Sequence, residues 1–140
     1  MQNGVYFVTI CVKDRHPLFG TVYNNEMRLS EHGEQVQRCI EMIEDVYPSV
    51  LLEAFIVMPN HVHLLLVLYD FNTNPSPQRL AKQLKSAVTK QIGFSPWQDG
   101  SYIRTILSAQ KHKIAKAYIK ENPRHWKEDR FAVTDGEFAP

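Results

Sequence analysis

Two histidines separated by one residue, His61 and His63, open a long aliphatic run in the stretch VMPNHVHLLLVL, Val57–Leu68. In a β-strand successive side chains turn to opposite faces, so residues two apart share a face. The two imidazoles would then stand side by side, about 7 Å apart at Cα from twice the strand rise. That separation lets both converge on one metal ion. Taken alone the pair is a weak signal, since six histidines in 140 residues give an H-x-H by chance in roughly one sequence in four. Two polar residues at a strand entrance account for it equally well.

A second group lies downstream in SAQKHKIAKAYIKENP, Ser108–Pro123. On a helix Tyr118 and Asn122, four apart, share a face one turn from each other. Lys111, seven before Tyr118, falls near the same stripe, while Lys113, Lys116 and Lys120 gather on the opposite side. A tyrosine hydroxyl beside an amide oxygen can supply a nucleophile and a metal ligand from one helix. The plainer alternative is that Tyr118 packs as an amphipathic residue with its hydroxyl in water.

These residues need a strand and a helix to carry them, and the sequence supplies both. VYFVTICV (Val5–Val12) is rich in β-branched and aromatic residues and predicts a first strand. TVYNNEMRLS predicts a short hairpin around Asn24–Asn25. Ser30 can cap a helix whose apolar positions Val36, Ile40, Ile43 and Tyr47 follow helical spacing, and Pro48 stops it. VLLEAFIV and HVHLLLVL predict two strands joined by the tight MPN turn, most simply an antiparallel pair. NTNPSP predicts a loop, and Leu80, Leu84, Ala87 and Val88 mark a second amphipathic helix. SYIRTIL predicts a short strand, and Ser108 caps a third helix running to about Asn122, where Pro123 discourages continuation.

The order is strand, helix, strand, strand, helix, strand, then an extra helix. This predicts an α+β fold, a ferredoxin-like split βαβ domain whose antiparallel sheet carries helices on one face, plus the extra C-terminal helix. Val62, Leu64, Leu66 and Leu68 would lie under the helices. His61 and His63 would point to the other face, off the packed side.

Length and composition fit a single domain, residues 1–140. The 44% hydrophobic and 11% aromatic content is that of a globular chain. No apolar run approaches the roughly 20 residues that span a bilayer, so no membrane partner is expected. The N-terminal stretch MQNGVYFVTIC has no basic n-region and no small-residue cleavage site. Cys11 and Cys39 are too few for a disulfide framework or a zinc ribbon. A reducing, cytoplasmic location follows, and nucleoid association with it if the chain acts on DNA.

The net charge of +1 averages two unlike parts. Residues 1–75 hold four Lys/Arg against nine acids, whereas residues 76–130 hold twelve against four, a local balance of +8. Such asymmetry suggests a polyanion-binding face in the C-terminal half, with solvated helix faces as the bland alternative.

The segments YFVTIC, MPNHVHLLL, LKSAVTKQI, WQDGSYI and YIKENP occur in the order of the single-tyrosine HUH transposases. The sequence resembles most the REP-associated tyrosine transposases, an IS200-like transposase domain, over about residues 5–127. MPNHVHLLL with a downstream YIxxNP is a specific combination. Two departures are plain: many relatives carry glutamine at the position of Asn122, and an acidic residue at that of Ile103.

The resemblance implies that His61 and His63 are the two-histidine metal motif, that Asn122 completes it, and that Tyr118 is the catalytic tyrosine. It implies Mg2+ or Mn2+ as cofactor, and single-stranded or hairpin DNA as substrate. The DNA would be cut and rejoined through a 5′-phosphotyrosine. Homodimers are common among relatives, and in some the tyrosine helix serves the partner's histidines. Lys82, Lys85, Lys90, Arg104, Lys111, Lys113, Lys116 and Lys120 would track phosphates, and Trp97 or Trp126 could stack bases. The alternatives are a non-catalytic single-stranded DNA- or RNA-binding module of the same fold and a small metallohydrolase built on the histidine pair.

Overall fold

A computed structural model describes residues 3–69, 75–128, 133–134 and 137–138. Strand β1 (Asn3–Cys11) is followed by the hairpin β2 (Gly20–Tyr23) and β3 (Glu26–Leu29), then helices α1 (Glu31–Glu41) and α2 (Ile43–Val46). Strands β4 (Val50–Met58) and β5 (His61–Tyr69), helix α3 (Pro77–Ile92), strand β6 (Tyr102–Thr105) and helix α4 (Ala109–Glu121) complete the main body. A 3-10 segment, Asn122–Glu128, continues directly from α4, and a two-residue pair, β7 (Val133–Thr134) and β8 (Glu137–Phe138), follows it. Of the loop expected at 72–77, residues 72–74 lie outside the described residues, Ser76 caps α3 and Pro77 already begins it. None of the described helices is long and apolar enough to cross a membrane.

The main sheet has the order β4-β5-β1-β6 with every neighbouring pair antiparallel. This is the split βαβ arrangement that the element order predicts. The hairpin around Asn24–Asn25 forms with both asparagines in the left-handed region, at φ 51° and 63°. That conformation suits the right-handed twist of the flanking strands.

The helix starts are set by hydroxyl caps. Ser30 Oγ accepts from the Gly33 amide, Ser76 Oγ from that of Arg79, and Ser108 Oγ from that of Lys111. Two details depart from the periodicity. The first helix is interrupted at Met42, so Ile43 lies on the separate turn α2. On α3 the buried alanine is Ala81, while Ala87 is exposed.

The core has two parts, one on each side of the sheet. Val62, Leu64, Leu66 and Leu68 pack with Val36, Ile40, Leu80, Leu84 and Val88 of α1 and α3, as expected. The opposite face is covered too: Leu65 of β5 packs with Ala115 and Ile119 of α4, with Phe7, Ala54 and Ile56 around them. The sheet therefore carries helices on both faces, α1 and α3 on one and α4, over β4 and β5, on the other.

Candidate active site

β5 begins at His61, so the first two residues on its α4 side are the histidines. Both are buried, at 0% and 2% exposure. The expectation that they lie off the packed face is corrected here. They do point away from α1 and α3, but α4 and the segment after it close over them, and the Trp126 ring stacks on His61 with centroids 6.2 Å apart at 22°.

The two Nε2 atoms approach to 3.1 Å. Each Nδ1 is held from behind, that of His61 by Asn60 Oδ1 at 2.8 Å and that of His63 by Thr9 Oγ1 at 2.9 Å. The Asn60 amide is itself oriented, because its Nδ2 donates to the Arg15 carbonyl. Its oxygen must then face His61, so His61 Nδ1 is the donor and Nε2 carries a lone pair. The Arg15 carbonyl is presented by a turn in which Asp14 and Arg15 both take positive φ, 57° and 56°. Such a conformation costs on the order of 1–3 kcal/mol per residue and collects at functional sites.

Thr9 gives His63 two options, since a hydroxyl can donate or accept. When it donates, His63 carries its proton on Nε2 and passes a hydrogen bond to His61. When it accepts, both Nε2 lone pairs face one point, which a cation stabilises. Burial holds His61 far below the usual histidine range, at about 3, against the opposing effect of its hydrogen bond with Asn122. The imidazole is thus neutral at physiological pH, the form that ligates metal.

Asn122 is the residue that joins the two groups. It ends α4, is 1% exposed, and its side chain lies on His61. Tyr118, one turn earlier, is 42% exposed. Its ring meets His63 edge-on at 5.4 Å and Phe7 at 6.0 Å. Ala115, Ile119 and Asn122 anchor the helix, leaving Tyr118 at the border of the buried stripe with water on one side. Tyr118 faces the histidines of its own chain.

α4 has a further tie. Glu53 sits where the β4–β5 register shifts between Leu52 and Ala54, and its carboxylate contacts His112 Nε2 in the first part of α4. A bulge re-aims a side chain relative to simple alternation.

Among the described residues there is no cluster of three or more His, Cys, Asp or Glu side chains suited to a metal. The donors present are two imidazoles and one amide oxygen. An Nε2 separation of 3.1 Å is close to the roughly 3 Å between adjacent ligands held about 2.1 Å from one ion. This set fits a divalent cation with open positions for substrate oxygens, not a closed structural zinc site.

The predicted phosphate-binding residues divide. Lys111, Lys113, Lys116 and Lys120 are exposed on α4, and Arg104 is exposed on β6. Lys82, Lys85 and Lys90 belong to α3, on the far face of the sheet. Lys85 Nζ donates to the carbonyls of Gln98 and Gly100 at 2.9 Å each and braces the segment leading into β6. Burial lowers its pKa against the opposing charge of Asp99. Trp97 is a core residue, its indole donating to the Lys85 carbonyl and its ring edge-on to Phe19. Ile103 packs into the core under α1 and α3.

No protein-family model matches the chain. It is 28% identical over 156 residues to an uncharacterized protein of Haemophilus influenzae, covering 94% of this chain and 87% of that one. A solved structure of a REP-associated tyrosine transposase bound to a REP hairpin superposes with a TM-score of 0.70 at 18% identity, over 89% of this chain and 68% of that one. A protein of Deinococcus radiodurans R1 described as a transposase superposes with a TM-score of 0.59, also at 18% identity, over 86% and 92%. The fold is that of the tyrosine transposases.

Sequence reading missed Thr9, Asn60, Glu53 and His112. For Asn60 a signal existed, since it directly precedes the histidine motif. For the other three, nothing local marks them.

Proposed function

We propose that this chain is a metal-dependent transposase or nuclease of single-stranded DNA that cuts and rejoins strands beside hairpins. The observation that carries the reading is the convergence of Tyr118 and Asn122, from α4, on His61 and His63, from β5. The hairpin-bound neighbour with the same fold supports hairpin DNA as the substrate.

The residues have separable tasks. His61, His63 and Asn122 would hold Mg2+ or Mn2+, which when bound draws charge from a non-bridging phosphate oxygen. Asn60 and Thr9 orient the two imidazoles. Phe7 and His63 pack on the Tyr118 ring and aim its hydroxyl. The Tyr118 oxygen attacks phosphorus and the phosphorus–O3′ bond breaks. A 5′-phosphotyrosine and a free 3′-OH result. A phenol titrates near 10 in water, so its proton must leave as the bond forms, and the half-exposed ring keeps it in contact with solvent. Because the phosphodiester energy is retained in the tyrosine ester, a second 3′-OH can rejoin the strand without ATP. That all four side chains come from one chain supports a site assembled without a partner subunit.

The deciding experiment is a denaturing gel of the protein with end-labelled single-stranded hairpin DNA, with and without Mg2+ or Mn2+. A metal-dependent, protein-linked band is expected. Retarded complexes on a native gel with no such band would identify a binding module instead, and cut DNA with no protein attached would identify a metallohydrolase.

A further inference from the structure

We propose that Tyr102 and Arg104 on β6 form a shelf that receives the nucleotide adjoining the scissile phosphate. This rests on the single-stranded DNA reading above and adds where the strand runs. β6 pairs with β1 so that Tyr102 lies opposite Thr9 and Arg104 opposite Phe7. Directly opposed residues share a face of the sheet. The alternation is fixed by their neighbours: Ile103 packs in the cluster under α1 and α3, and Ile106 in the cluster under α4. Tyr102 and Arg104 therefore project from the face that carries the histidines.

That face reads as a continuous row. Thr9 holds His63 by a hydrogen bond, and Phe7 touches the rings of both His63, at 5.0 Å, and Tyr118, at 6.0 Å. One strand further out come Tyr102 and Arg104. From β5 to β6 is two strand spacings, about 10 Å, the reach of the nucleotide next to a phosphate held at the histidines. α4 packs on β4 and β5, at the other side of this face. Among the described residues the β6 end is open, with Tyr102 52% exposed and Arg104 also exposed.

The chemistry of the two side chains matches one nucleotide. A phenol ring offers a plane on which any base can stack, and a guanidinium two residues along the same face offers a fork for its phosphate. The balance of +8 over residues 76–130 favours the same polyanion. Lone exposed aromatics are common on protein surfaces. What sets Tyr102 apart is its position, one strand from a residue that holds His63, with Arg104 beside it.

The test is fluorescence anisotropy with two labelled probes, a closed DNA hairpin and the same hairpin with a single-stranded extension, in a Tyr118→Phe background that binds without cutting. Tyr102→Ala should weaken binding of the extended probe about tenfold, the order expected for one stacked base, and leave the bare hairpin unchanged. Tyr102→Phe should recover most of the loss, because the ring is what stacks. Arg104→Gln should weaken the extended probe and lower its salt slope by about one. Melting curves check that each variant is folded. Equal losses on both probes, no loss on either, or a background protein that does not favour the extension would overturn the shelf. Failure of the nuclease reading registers separately, as the absence of a covalent adduct in the chain with Tyr118 intact.

Discussion

His61 and His63 present their Nε2 atoms to each other at 3.1 Å while their Nδ1 atoms are held by Asn60 and Thr9. Two imidazoles braced in this way are organised before any ligand arrives. His61→Ala and His63→Ala should each abolish Mn2+ binding in calorimetry and abolish covalent DNA capture. Since both rings are buried and hydrogen-bonded, each substitution should also cost about 1–3 kcal/mol of stability through the partners left behind. Thr9→Val keeps the shape and removes the hydroxyl, and should weaken metal binding by about 10–100-fold. Asn122→Ala should leave activity that needs more metal. Unchanged Mn2+ affinity in both histidine variants would remove the metal site.

Tyr118→Phe removes one oxygen and retains the ring that packs on His63 and Phe7. At 42% exposure the lost hydroxyl should change stability by no more than about 0.5 kcal/mol. DNA binding should persist and the covalent adduct should vanish, because no other group replaces the attacking oxygen. Mass spectrometry of the trapped adduct checks the assignment directly. A nucleotide mapped to Tyr102, or an adduct that survives in Tyr118→Phe, would move the nucleophile elsewhere.

The split βαβ order and the shared face of the histidines were legible because both rest on local periodicity, two for strands and 3.6 for helices. Burial of the histidines was not. It depends on where α4 docks, and that helix buries only Ala115 and Ile119 among its exposed lysines, too little apolar surface to show a packing face in sequence. Thr9 is 54 positions from His63, so its role appears only once the β1–β5 register is known. Glu53 escaped for a related reason: simple alternation does not place a residue at a bulge. The basic side chains were legible as a composition but not as a geometry, since α3 and α4 lie on opposite faces of the sheet.

Burial of His61 has a consequence for the pH dependence of folding in chelator. Its pKa falls from the ordinary 6.5 in the unfolded chain to about 3 in the fold. Between those values the unfolded chain binds the extra proton, so stability rises with pH. The contribution is complete above about 6.5 and is lost as pH falls toward 3, at about 1.4 kcal/mol per pH unit. Urea unfolding of the metal-free protein at pH 7.5, 5.5 and 4.5 should show this slope. In His61→Gln the slope should flatten over the same window. An equally steep slope in that variant would assign the acid sensitivity to other groups.

The lysines supply the last prediction. Lys116 and Lys120 lie on the helix that carries Tyr118, whereas Lys82 and Lys90 lie on α3 behind the sheet. Lys/Arg contacts to phosphates displace condensed counterions, and each contact adds nearly one to the slope of log affinity against log salt. A substrate held at the histidines runs past α4 and β6 before it can reach α3. Lys116→Ala with Lys120→Ala should therefore weaken binding of hairpin DNA with a single-stranded extension and lower the salt slope by about two. Lys82→Ala with Lys90→Ala should lower it by less than one. Titrations between low and moderate salt distinguish the pairs, and equal effects would mean that DNA wraps around the β6 edge onto both faces. A flat affinity across that range, in the unaltered protein, would take the basic residues out of DNA binding altogether.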